Sequence, residues 1–90
     1  MKVLAEAAGM ISADRRAAYG EAIDDFTHTA AIWTVILRRK GKLATGAALD
    51  AHDVALLMAG LKLSREAHVR GRDNCVDGAG YFALAHQVTP

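Results

Sequence analysis

The sequence predicts an all-α fold, a compact bundle of about four helices completed by oligomerisation. Three observations carry that expectation. The only proline is Pro90, so nothing before it forbids helix. Apolar residues recur at helical spacing, most clearly at Ile23, Phe26, Ala30, Trp33 and Leu37. The chain is 52% hydrophobic and only 6% aromatic, so its core must be built from Ala, Leu, Ile, Val and Met. Its 90 residues make a single domain. A chain of that length buries only about 60–65% of the surface that its unfolded form exposes. Apolar content in such excess of the core is expected to be covered by another copy of the chain, making a homo-oligomer.

Glycine supplies the punctuation. Residues 2–18 read as a first helix, with Val3, Leu4, Ala7, Met10, Ile11 and Ala18 spaced for one apolar face. Tyr19-Gly20 follows, and Gly20 suits a helix stop in the left-handed conformation. Residues 21–40 read as the second helix. Glu21, Asp24 and Asp25 lie in its first turns and Arg38, Arg39 and Lys40 in its last, so both ends agree with the helix dipole. A loop from Gly41 to Leu49 leads to Asp50, a good N-cap for a third helix running to about His68. That helix is apolar on almost every side, which predicts burial between other elements. Val69 to Arg72 is a basic turn, and Asp73 or Asn74 is expected to cap a fourth helix ending near Gln87.

Charge narrows the function classes. The formal net charge is +1, and apart from the run from Arg38 to Lys42 the cations are scattered. Nucleic-acid binding through counterion release needs a denser stripe, so a nucleic-acid partner is not expected. Cys75 is alone, which rules out a disulfide framework or a cysteine-based zinc knuckle and suits a reducing cytoplasm. No stretch resembles a signal peptide, and the longest strongly apolar one, Ala30 to Leu37, is too short to span a bilayer. The expected setting is cytoplasmic, with no membrane partner.

The chemistry concentrates between Asp53 and Tyr81. Lys62 and Arg65 emerge from an apolar stripe with Val54, Met58 and Leu61, so they must snorkel or meet anions. Asp73, Asp77, Gly80, Tyr81 and Leu84 share a face of the next helix. Gly78 and Gly80 cost that helix roughly 1 kcal/mol each relative to Ala, which implies a close approach by a neighbouring helix or a ligand. Two readings follow. In one, Lys62, Arg65, Asp73 and Asp77 form an ion network that fixes helix register. In the other they form a site. Carboxylates four apart can share a divalent cation such as Mg2+, guanidinium and ammonium groups hold phosphate, and Tyr19 and Tyr81 contact a base. Arg15 and Arg16 would add cations, and Glu21, Asp24 and Asp25 further carboxylates. The four histidines show no metal-ligand spacing.

Arg16-Ala17-Ala18-Tyr19-Gly20, Phe26, Trp33, Asp53 to Met58, Leu61-Lys62, Arg65-Glu66, Asp73-Asn74, Val76-Asp77 and Gly80-Tyr81 resemble, in order and spacing, a family of short phage and prophage proteins of unassigned function. The match runs from residue 2 to residue 86. More distantly, the layout is similar to the phage nucleotide modification associated domain and to MazG-like all-α pyrophosphohydrolases. The latter hold magnesium between a Glu-Glu-x-x-Glu and a Glu-x-x-Asp motif. Here Glu21, Asp24 and Asp25 loosely replace the first motif, and Asp73 and Asp77 stand one residue wider than the second.

The resemblance implies a phage-encoded, nucleotide-handling protein in the bacterial host's cytoplasm. A nucleotide or nucleotide-like small molecule would bind between helices, with Arg16, Tyr19, Lys62, Arg65 and Tyr81 as ligand contacts. Asp73 and Asp77 would be the magnesium ligands. The alternative is a non-catalytic helical oligomer that acts as a phage accessory or anti-defence protein.

Overall fold

The computed structural model describes residues 16–88. They form three helices, α1 (Arg16–Arg39), α2 (Ala51–His68) and α3 (Arg72–Gln87), and no strand. The all-α class stands. The first expected helix lies outside the described residues up to position 15. No helix among the described residues is long and apolar enough to cross a membrane.

The expected stop at Gly20 is corrected: α1 begins at Arg16 and runs straight through Tyr19-Gly20. A single glycine costs a helix about 1 kcal/mol, and neighbours such as Ala17, Ala18 and Ala22 propagate it. The real terminator is Gly41, at φ 68°. The Gly41 N–H donates to the Arg38 carbonyl at 3.0 Å, and the Lys42 N–H donates to that of Leu37 at 2.8 Å. These paired bonds close the helix end around a left-handed residue, a conformation open to glycine without a Cβ penalty. The cations Arg38 and Arg39 occupy the last turn as expected. Arg38 also donates from Nη2 to the Ala47 carbonyl at 2.7 Å, pinning the following loop.

Asp50 caps α2 as its sequence position predicts. Its Oδ1 accepts from the Asp53 N–H at 2.9 Å, and Asp53 Oδ2 accepts from the Asp50 N–H at 3.0 Å. This reciprocal box satisfies two amides that the helix start leaves without partners. The expected cap of α3 is corrected. Gly71 is the N-cap, without a side-chain hydrogen bond, while Asp73 falls inside the first turn. Glu66 of α2 accepts from the Gly71 N–H at 2.8 Å, and Asn74 Nδ2 donates to the Val69 carbonyl at 3.4 Å. The turn is therefore shaped by a carboxylate from the preceding helix, with Asn74 directed back into the turn.

α2 and α3 pack as an antiparallel hairpin, and α1 lies against α2 more sparingly. The closest approach in the hairpin is at Gly78, where a Cβ would stand 3.3 Å from Lys62 Cβ. That accounts for one of the two glycines in α3 by helix packing alone. The buried apolar residues are small: Ala30, Val54, Ala55, Leu84 and Ala85. Thr34 is buried with them, its Oγ1 donating to the Ala30 carbonyl at 2.7 Å and accepting from the Leu49 N–H at 2.9 Å. Burial of α2 on all sides is also corrected. Only Val54 and Ala55 are buried, and Leu56, Leu57, Leu61 and Leu63 remain exposed. One side of α2 takes up both neighbours, and the other is left without a covering element among the described residues.

Candidate functional site

The centre of the hairpin carries an ion pair. Lys62 Nζ lies 3.3 Å from Asp77 Oδ2, with side-chain exposures of 16% and 42%. Lys62 stands on the buried side of α2, one turn from Met58 and two from Ala55, so its stem packs while its ammonium needs an acceptor. Asp77 stands on the face of α3 that also carries Gly80 and Leu84, both buried. The helical wheel anticipates this pairing.

The remaining site residues separate. Arg65 is exposed, because three residues beyond Lys62 the helix has turned it to the outer edge. It lines a groove of about 460 Å³ at the α2–α3 turn, with Ser64, His68, Val69, Arg70, Gly71 and Asn74. Lys62 lines a different groove of about 300 Å³, largely apolar, with Ala59, Leu63, Glu66, Cys75, Gly78 and Phe82. Tyr81 lines neither; its ring meets that of Phe26 on α1 at 6.1 Å between centroids and 33° between planes. It thus serves the contact between helices in this chain. Arg16 and Tyr19 lie on α1, but their side chains, like Arg15, fall outside the described residues.

Asp73 and Asp77, the expected magnesium ligands, stand in different settings. Asp73 is exposed, Asp77 holds the Lys62 ammonium, and no third carboxylate, thiol or imidazole joins them among the described residues. Glu21, Asp24 and Asp25 are exposed on α1. Among the described residues, Asp50, His52 and Asp53 bring three ligand-capable atoms within 4.8 Å of one another. The two carboxylates already accept the amides of the capping box, so helix initiation accounts for this grouping. The Asp53 amide, first among the causes, holds the Asp50 carboxyl below its usual value.

Two features escape the sequence. One is the convergence of Arg65, His68 and Arg70 on a single groove at the start of α3. The basic turn is visible in the sequence, but its concavity depends on the chain reversal at Val69–Gly71. The other is a groove of about 670 Å³ between α1 and the entry to α2, lined among others by Ile23, Thr27, Thr34, Arg38, Leu49 and Asp50. It runs along the side of α1 that carries Ala30, where a register of two helices, not a motif, determines what faces what.

No curated protein and no solved structure matches the chain. A family model does, over residues 2–89. On that match the chain belongs to the family described as Domain of unknown function (DUF6378).

Proposed function

We propose that this is a phage-encoded protein that handles a nucleotide or nucleotide-like molecule in the host cytoplasm, with the ligand's phosphate end at the α2–α3 turn. The observation that carries this reading is the groove where Arg65, His68 and Arg70 meet at the beginning of α3. The N-terminal end of a helix favours anions; Glu66 already takes the Gly71 amide there, so the phosphate contacts fall to the cationic side chains. Arg65 and Arg70 supply guanidinium groups that match phosphate oxygens in pairs. The resemblance to nucleotide-handling phage domains gives the same ligand class. Magnesium enters with the phosphates, Asp73 offering a carboxylate in the first turn of α3. This reading assigns binding and leaves turnover to a pyrophosphate-release assay.

Thermal unfolding of the full chain with nucleoside mono-, di- and triphosphates, with and without magnesium, tests the proposal. Wild type should be stabilised by at least one of them, and Arg65→Ala/Arg70→Ala should lose the effect. Absence of stabilisation by every nucleotide would refute it.

A second reading, a non-catalytic helical oligomer that works as an accessory or anti-defence binding protein, is favoured by a separate observation. Lys62 and Asp77 neutralise each other inside the hairpin, which suits a structural role better than a phosphate clamp.

A further inference from the structure

The outward side of α2 is apolar, free of charge along its centre, and covered by no other element among the described residues. At about 100° per residue, Leu56, Leu57, Leu61 and Leu63 flank Gly60 and Ser64 on the side opposite Lys62. Leu63 is 72% exposed, Leu57 51%, Leu61 45% and Leu56 39%. From those fractions the four leucines present an apolar patch on the order of 400 Å², the size that marks an interaction site rather than scattered surface residues. It is also about half of what each partner contributes to a standard interface of roughly 800 Å² per side, close to the apolar share of such an interface.

We propose that this face binds a second copy of the chain, with the two α2 helices antiparallel about a two-fold axis between Gly60 and Leu61. Three properties of the face select that occupant. Its polar ends differ: Asp53 lies in the first turn and His68 in the last. Antiparallel pairing sets Asp53 of one chain beside the partner's His68, and opposes the two helix dipoles favourably. The same axis puts Leu61 over the partner's Gly60, and Leu57 over the partner's Ser64. A two-fold interface requires such reciprocity, each surface meeting its own copy. Gly60 is otherwise unexplained: a Cβ there would meet nothing within 4 Å in the single chain, so the chain's own described packing does not require glycine. The partner's leucine provides the close approach that does. The face adjoins the turn groove at Ser64 and His68, while its leucines and Gly60 lie outside that groove, so the pairing rests on them and not on the nucleotide reading. It gives the second reading its surface.

Sedimentation equilibrium of the full chain, without nucleotide and over a range of concentrations, should return twice the 9.6 kDa of one chain. Gly60→Glu and Leu57→Asp each place a charge in the face at exposed positions, so helical content by circular dichroism should be unchanged. Each should weaken association on the order of 100-fold. In a Cys75→Ser background, chains carrying Leu57→Cys should cross-link on mild oxidation to chains carrying Ser64→Cys, and neither should cross-link to itself. A wild type that sediments as one chain throughout would overturn the proposal, as would a dimer unaffected by Gly60→Glu. So would a dimer lost on Ile36→Glu alone, which assigns association to α1. Self-cross-linking of Leu57→Cys would overturn the antiparallel arrangement.

Discussion

Removing either end of the Lys62–Asp77 pair should have unequal consequences. Asp77 keeps 42% of its side chain in solvent, so it can rehydrate when its partner goes. Lys62 keeps only 16%, so it rehydrates less readily. Lys62→Met preserves the stem that packs near Gly78 and removes the charge, and should cost no more than about 0.5 kcal/mol. Asp77→Leu removes the acceptor of a mostly buried lysine and should cost about 1–2 kcal/mol. This is well below the penalty for a fully buried pair, because water still reaches the carboxylate and screens it. The double variant should recover most of the loss, giving a coupling of about 1 kcal/mol. Urea unfolding followed by far-ultraviolet circular dichroism measures all four proteins, at one fixed chain concentration because self-association would otherwise shift the midpoint. Equal costs for the two single variants, with no coupling, would refute the pairing. An Asp77→Leu variant of undiminished stability that no longer responds to nucleotide would assign Asp77 to a ligand.

Asp50→Ala should cost about 1 kcal/mol through loss of the reciprocal cap, read from the urea midpoint. The Asp50 carboxyl titrates below its ordinary value of 3.8 in the folded chain. Its contribution is therefore complete above that value and fades as pH falls through the depressed one. Asp50→Asn keeps a capping acceptor without the charge, so the stability gap between wild type and this variant should narrow on acidification. Gly20→Ala should raise the melting temperature by a few degrees, about 0.5–1 kcal/mol, because Gly20 is inside α1 and a Cβ there meets nothing within 4 Å. A lower melting temperature would mean that Gly20 adopts the left-handed conformation of a helix stop.

The sequence made legible what depends on near neighbours. Asp50 with Asp53 three residues on, and Arg38-Arg39-Lys40 before Gly41, fix the two ends that face the long loop through bonds spanning a few residues. Gly20 misleads because the letter is the same whether glycine ends a helix or sits within one; only φ and the following hydrogen bonds distinguish them. Gly71 is less visible as a cap than Asp73 and Asn74, better capping types, because the acceptor of its amide is Glu66 on the previous helix. Within the site, the wheel brought Lys62 to Asp77 correctly. It also grouped Arg65 with Lys62, although about 60° of helical rotation separates an inner position from an outer one. The exposed leucines of α2 follow from the same limit. Periodicity shows that a helix is apolar all round, and only the packed chain shows which side its own neighbours cover.

Thr34 bears on the uniqueness of this arrangement. Among the described residues, those buried on α1 are Ala30 and Thr34, and the Ala30 methyl does little to fix the register of the helix. A one-turn slip would replace Thr34 by Ala30 or Arg38 beneath the Leu49 amide. Neither offers an acceptor there, and an amide shut away from water without one costs about 1–3 kcal/mol. That hydroxyl thus acts as a detent for α1, alongside the Arg38 bond to the Ala47 carbonyl and the Phe26–Tyr81 ring contact.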